Sequence, residues 1–215
     1  MGIEEISISI SNKLGDRLGK NEEEIAVLNY GLFMLIHTIL AILLTLCFGI
    51  LTNMIIEMVS ISIIASFLKR YSGGVHSSTP KRCIITGIIF ILSLSIICKY
   101  VMINLNNTKL GFIILLGILM FYYILYKKCP VPSKNKPLKK ESTRNKLRKK
   151  SFKLLNTYTA VMLTLYFYNI YNELYIFKLG VSVIFLGVLL QIFSLTKAGE
   201  LVVAILEKIF DIFKI

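Results

Sequence analysis

The 215-residue sequence has no tryptophan, only four prolines and only two histidines. Its four cysteines form no CxxC pair, and their spacing matches neither a zinc site nor a disulfide framework. Charged residues make up 17% of the chain, well below the roughly 25% of ordinary soluble domains. This scarcity of charge argues against a water-soluble domain, and we expect neither a metal nor a cofactor.

Apolar residues are abundant and are grouped in six blocks rather than dispersed with helix or strand periodicity. A helix needs about 20 residues to cross about 30 Å of hydrocarbon, so the shorter blocks must recruit polar flanks or thin the bilayer. We predict an all-α polytopic membrane bundle of about six transmembrane helices. A four-span arrangement with two re-entrant or interfacial segments is the alternative. The blocks are 25–51, 54–68, 83–98, 110–126, 154–168 and 174–195.

The positions of lysine and arginine predict the orientation of the bundle. Twenty-two of the 25 basic residues fall in 1–24, 69–82, 127–153 and 196–215. Because cytoplasmic segments carry an excess of positive charge, these four segments are expected on the inner side of a bacterial cell membrane. Both termini and the loop 69–83 would then be cytoplasmic.

Both ends of the chain have an amphipathic pattern. Apolar residues recur at 3, 6, 10, 14 and 18, and again at 201, 205, 209 and 212. Such stripes predict helices lying in the cytoplasmic headgroup layer, with packing on a partner subunit as the alternative. The predicted organisation is therefore an N-terminal segment 1–24, a membrane domain 25–195 and a C-terminal helix 196–215.

The loop 69–83 concentrates the residues that are able to do chemistry. His76 precedes Cys83 by seven residues, which on one continuous helix would separate them by about 10.5 Å. A nucleophile and its base must approach to about 3 Å, so the loop must fold back. Gly73 and Gly74 permit such a fold because glycine adopts positive φ and allows close backbone approach.

The end of this loop predicts a helix start that would activate the cysteine. Thr79 is suited to cap the helix and Pro80 to occupy its first position, which places Cys83 in the first turn. The helix N-terminus, Lys81, Arg82 and a protonated His76 would each favour the thiolate, the reactive form of the side chain. First-turn amides, or those of the two glycines, are candidates to hold an oxyanion.

Two ionisable residues inside the apolar blocks have open interpretations. Glu57 is a candidate to orient His76, but a protonated carboxyl bonded to a helix or an interfacial position is equally consistent with the sequence. His37 lies in the middle of the first block, where a neutral imidazole bonded to a neighbouring helix is the common outcome.

The segment 127–153 contains 12 basic residues and carries a strong positive field. The prolines in its first part favour an extended backbone. The candidate residues to face a substrate or lipid there are Lys127, Lys128, Lys134 and Lys136. Anchoring to anionic lipid headgroups explains such a segment. Recruitment of an acidic peptide to the mouth of the site is the more specific interpretation.

Two of these segments resemble a known family. Arg70-Tyr71-Ser72-Gly73-Gly74-Val75-His76, followed after six residues by Cys83, resembles the core motif of the accessory gene regulator B (AgrB) family. The segment 130–138, Pro-Val-Pro-Ser-Lys-Asn-Lys-Pro-Leu, resembles that family's second landmark. The resemblance covers essentially the whole chain.

The resemblance implies a quorum-sensing cysteine endopeptidase that removes the C-terminal tail of an AgrD-like propeptide and promotes closure of a thiolactone or lactone ring. It implies Cys83 as nucleophile and His76 as base. Arg70 and Arg82 are, like the two glycines, candidates to support the oxyanion or the loop. A nucleic-acid partner is not expected, and a homodimer is left open. A non-enzymatic peptide exporter that uses Glu57 and His37 is the competing hypothesis, and a membrane scaffold is a third.

Overall fold

A computed structural model describes residues 2–132 and 140–213, and within these ranges the chain is helical without strands. The predicted all-α class is therefore confirmed. A short 3₁₀ helix, Met102–Asn104, separates α4 from α5. The helices are α1 (Ile3–Arg17), α2 (Glu22–Leu51), α3 (Ile55–Ser72), α4 (Pro80–Tyr100), α5 (Asn107–Lys128), α6 (Glu141–Asn172), α7 (Tyr175–Phe193) and α8 (Lys197–Ile212).

The six predicted apolar blocks correspond to α2 through α7. In the described ranges, four helices are long and apolar enough to cross a membrane: α2, α4 with the 3₁₀ helix, α5 and α7. α3 contains Glu57, Lys69 and Arg70, and the first half of α6 is strongly basic. The protein is a membrane protein, and the count of six spans stays a prediction.

The basic segment is more helical than its hydrophilic character suggested. Residues 141–153, the second half of the basic segment 127–153 and outside the predicted apolar blocks, form the first turns of α6. Lysine, arginine, glutamate and leucine dominate this stretch, and all four are good helix formers. Lys134 and Lys136 lie outside the described residues, so their predicted contacts stay predictions.

The chain divides into two compact units, Met1–Cys47 and Phe48–Ile215. In the first unit, Ile10, Leu14 and Leu18 of the predicted α1 stripe are exposed, whereas Ser7 and Ser11 are buried. In the second unit, α7 is the central helix and packs against α3, α4, α5 and α6. Its residues 181–186 are buried without interruption, as expected for a helix surrounded on all sides.

The C-terminal helix α8 packs against α4 with one face and exposes the other. Val203 and Phe210 are buried. The predicted apolar stripe, represented by Leu201, Ile205 and Ile212, is exposed. The stripe therefore points away from the bundle, and its position in the headgroup layer stays a prediction.

Glycine allows the central helix to approach α3 closely. A Cβ atom built on Gly187 of α7 would lie 2.7 Å from Ile64 Cγ2 and 3.2 Å from the Ile61 carbonyl oxygen. Real Cβ atoms do not approach other atoms so closely, so a larger residue would force α3 and α7 apart. This crossing matters for the site because α3 and α7 both end beside it.

We predict that Gly187→Val destabilises the bundle by about 1–3 kcal/mol, the usual cost of overpacking a tight core. The measurement is thermal unfolding in detergent, followed by labelling of the buried Cys98 thiol. Gly31→Val is the matched control, since a Cβ at Gly31 meets nothing within 4 Å. Equal stability of the two variants would contradict the close-packed crossing.

Candidate active site

Two consecutive glycines turn the chain sharply after α3. Gly73 has φ +73° and Gly74 has φ +134°, both in the region that disfavours side chains. A Cβ on Gly73 would lie 2.2 Å from the Val131 carbonyl oxygen, and one on Gly74 would lie 2.5 Å from Ser194 Oγ. Glycine is therefore required here both for conformation and for space.

A buried glutamine of α7 fixes this turn. The Gln191 side chain is only 2% exposed, and its Nε2 donates to Ser72 Oγ at 2.8 Å and to the Gly73 carbonyl at 2.7 Å. The Val75 amide donates to the Ser194 carbonyl at 3.1 Å, and the Val131 amide donates to the Ser72 carbonyl at 2.9 Å. The end of α7 and residues 129–132 thus hold the turn from two sides.

The predicted start of α4 is confirmed. Thr79 is the N-cap, and its hydroxyl accepts from the Arg82 amide at 3.3 Å. Pro80 occupies the first helical position, and the Cys83 amide donates to the Thr79 carbonyl at 3.0 Å. Cys83 therefore lies in the first turn, where the positive end of the helix dipole favours a thiolate.

His76 and Cys83 line the same cavity, which has a volume of about 160 Å³. His76 is exposed, and Cys83 is half-buried. Hydroxyl groups of α3 and α4 cover part of the wall, and apolar side chains cover the rest. The wall includes Ser62, Ser66, Lys69, Thr86, Phe90, Leu190, Phe193 and Val203.

Lys69, which the sequence reasoning did not single out, is a cation of this cavity. Its Nζ donates to the Val75 carbonyl at 3.0 Å. Burial lowers the pKa of the Lys69 ammonium below its ordinary value, while the negative charge of a Cys83 thiolate raises it. The same attraction stabilises the thiolate, so Lys69 is suited to activate the cysteine.

The predicted thiolate partner Arg82 is instead held by carboxylates of α8. Its Nη1 lies 2.8 Å from Glu207 Oε2, and its Nη2 lies 2.7 Å from Asp211 Oδ1. Desolvation raises the pKa of Glu207, but hydrogen bonds from Ser78 and Arg82 outweigh it and lower that pKa to about 2. Because two carboxylates compensate its charge, Arg82 contributes less positive field than the sequence suggested.

The other candidates lie away from the cavity. Glu57 is in the first turn of α3, about 22 Å along the helix axis from Ser72 at 1.5 Å per residue, so the fold separates it from His76. The exposed Arg70 guanidinium lies 6.0 Å from the centre of the Tyr71 ring. Lys127 lies over Tyr123, with its Nζ 4.6 Å from the ring centre.

The two remaining candidates, Lys128 and His37, also lie outside the cavity lining. Lys128 is exposed at the end of α5. His37 lies in the first unit, 6.2 Å from Phe33 between ring centroids. Across residues 2–132 and 140–213, His, Cys, Asp and Glu form no group of three able to hold a metal.

The fold and the site define a helical membrane protein with a cysteine–histidine cavity at one end of its bundle. The family model of accessory gene regulator B matches residues 7–195. Two curated relatives from Clostridium perfringens, both described as AgrB-like in their names, are each 32% identical to the chain. The alignments cover 95% of this chain and 96% of each relative, one from strain SM101 and one from strain 13.

The chain belongs to the accessory gene regulator B family. Family membership supports a role in processing a quorum-sensing peptide of the agr type, with an AgrD-like propeptide as the substrate partner. No solved structure matches the chain.

We predict that Gln191→Leu destabilises the protein by about 1–3 kcal/mol, because the bonds to Ser72 Oγ and the Gly73 carbonyl are lost inside the bundle. Limited proteolysis of the loop between α3 and α4 should become faster. Asn172→Leu is the control, since Asn172 is exposed at the end of α6 and donates to the Tyr168 carbonyl of the preceding turn. Unchanged proteolysis in Gln191→Leu would refute the role of this amide.

Proposed function

We propose that this chain is a membrane-embedded cysteine endopeptidase that cleaves an AgrD-like propeptide through Cys83 and promotes closure of a thiolactone or lactone ring. One observation carries the proposal: His76 and Cys83 line a single cavity together with Lys69. Cys83 supplies the nucleophile, Lys69 favours its thiolate, and His76 supplies the proton-transfer group.

The reaction begins when Cys83 Sγ attacks the carbonyl carbon of the scissile peptide bond. The carbon–nitrogen bond breaks, His76 transfers a proton to the departing amine, and the C-terminal tail leaves with a new N-terminus. The remaining peptide is bound to Cys83 as a thioester. No change of oxidation state occurs in this step.

Ring closure follows when a thiol of the bound peptide attacks the same thioester carbon. The thiol proton passes to His76, which gave up its own proton in the first step, the bond to Cys83 Sγ breaks, and the enzyme thiolate is regenerated. Exchange of one thioester for another roughly conserves bond energy, so no nucleotide is needed. Water competes with the thiol, and the apolar wall around Phe90, Leu190 and Phe193 supports its exclusion.

We predict that Cys83→Ala abolishes release of the propeptide tail, with a loss on the order of 1,000-fold or more, because removing a covalent nucleophile leaves only binding effects. The measurement is mass spectrometry of the propeptide co-expressed with each variant. Cys47→Ala is the matched control, since Cys47 is exposed on α2. Full tail release by Cys83→Ala would rule out the nucleophile.

Peptide secretion, measured in the same co-expression, distinguishes the endopeptidase from the competing exporter hypothesis. An exporter that uses Glu57 and His37 would lose peptide secretion in Glu57→Gln and His37→Ala while tolerating Cys83→Ala. The endopeptidase has the opposite pattern, since Glu57 lies at the far end of α3 and His37 in α2.

We predict that Lys69→Gln and His76→Ala each slow alkylation of Cys83 by iodoacetamide at pH 7. Loss of the positive Lys69 raises the pKa of the Cys83 thiol, so less thiolate is present at a given pH, and loss of His76 removes the group that accepts the thiol proton. Mass spectrometry of the Cys83 peptide gives the rate. Lys99→Gln is the control because Lys99 lies in the last turn of α4, away from Cys83. Wild-type rates in both test variants would contradict the proposed activation.

A further inference from the structure

The C-terminal helix α8 holds the loop that carries His76. The Ser78 amide donates to Glu207 Oε1 at 2.9 Å, and the Ser78 hydroxyl donates to Glu207 Oε2 at 2.6 Å. These bonds join residues 129 positions apart in sequence. Ser78 lies midway between His76 and the helix start at Pro80, so the contact is made at the centre of the active-site loop.

The same carboxylate reaches the residue beside the nucleophile. Arg82 Nη1 donates to Glu207 Oε2 at 2.8 Å, and the two side chains are only 16% and 19% exposed. Charge-assisted hydrogen bonds of this kind are stronger than neutral ones, and partial burial reduces their screening by salt. Asp211 binds the second arm of the guanidinium from the next turn of α8.

α8 also contributes to the cavity itself. Gly199 and Val203 line the cavity, and Glu207 follows Val203 by four residues. Residues four apart lie on one face of a helix, so one face of α8 forms both the wall and the clamp. Close packing sets the start of this helix, since a Cβ on Gly199 would lie 2.2 Å from the Phe193 carbonyl oxygen.

We propose that Glu207 is a positioning residue of the active site, and that α8 fixes the loop from Ser78 to Arg82 so that His76 and Cys83 stay aligned. The proposal rests on the proposed function of Cys83. Glu207 does not touch the reacting atoms. It acts through Ser78 on one side of the loop and through Arg82 on the other, while Asp211 reinforces the second contact.

This role makes a prediction that a purely structural contact does not. Replacing Glu207 by glutamine removes one negative charge near Cys83 and leaves Arg82 less compensated. The pKa of Cys83 should therefore fall, and the thiol should become more reactive at lower pH. Processing should fall at the same time because the loop is no longer held. Thiol reactivity and processing thus change in opposite directions.

The experiment uses the full chain in membranes with an AgrD-like propeptide that carries a C-terminal tag and that the wild-type chain shortens. In Glu207→Gln we expect at least a tenfold loss of tail release. The midpoint pH for alkylation of Cys83 by iodoacetamide should fall by about half a unit or more. Glu200→Gln, which removes an exposed carboxylate from the first turn of α8, should match the wild type in both measurements.

A charge-neutral variant separates positioning from electrostatics. Ser78→Ala removes the hydroxyl bond to Glu207 without changing any charge, so tail release should fall several-fold while the alkylation midpoint stays at the wild-type value. Alkylation of the buried Cys98 reports on folding. If Cys98 becomes accessible in Glu207→Gln, that variant is misfolded and the positioning role is tested with Ser78→Ala instead. Wild-type tail release by Ser78→Ala would then overturn the proposal.

The two proposals fail in different ways. Wild-type tail release by Glu207→Gln, with Cys83→Ala inactive, would overturn the positioning role and leave the endopeptidase standing. Tail release by Cys83→Ala would overturn the endopeptidase. A parallel loss of processing and of Cys83 reactivity in a folded Glu207→Gln protein would also overturn positioning as described, because the charge argument requires reactivity to rise.

Discussion

One buried amide determines the geometry of the candidate site. Gln191 lies near the end of the central helix, where it donates to Ser72 Oγ and to the Gly73 carbonyl. A side-chain amide enclosed in an apolar bundle is costly unless its donors are bonded, so the turn and the glutamine require each other. Since α7 packs against four other helices, the bond from Gln191 connects the turn to the rigid core of the bundle.

The two glycines make the turn held by Gln191 possible. They allow the backbone to approach Val131 on one side and Ser194 on the other so closely that any side chain would clash. This compact turn directs residues 75–79 back toward α4, so that an exposed histidine and a half-buried cysteine line one cavity. The conformation of residues 73–79, which connect α3 to α4, is therefore determined by packing against α3, α7 and residues 129–132 rather than by these seven residues alone.

Local patterns in the sequence were sufficient to predict the all-α class, the cap at Thr79, the place of Cys83 in the first turn and the family, but not the helical start of α6 at 141–153. Contacts that join distant segments were beyond reach, because no periodicity links Ser78 to Glu207 or Gly73 to Val131. The predicted stripe on α8 identified its exposed apolar face but gave no sign that Glu207 contacts Ser78 and Arg82. Lys69 belonged to the quoted loop, but only the fold gives its Nζ a position beside the cavity.

Distant contacts also determine the charge around Cys83: the neighbouring Arg82 is paired with carboxylates of α8, and Lys69 lines the cavity. Sequence proximity pointed to Arg82 as the cation that would stabilise a thiolate, yet Glu207 and Asp211 compensate that charge. Lys69, fourteen residues before Cys83, lies in the cavity and couples electrostatically to the thiolate. The two cations therefore differ in their contacts: the Arg82 side chain is paired with Glu207 and Asp211 of α8, whereas the half-buried Lys69 lines the cavity that contains Cys83. Under the proposed function, the cation that anchors the loop is therefore different from the cation that activates the nucleophile.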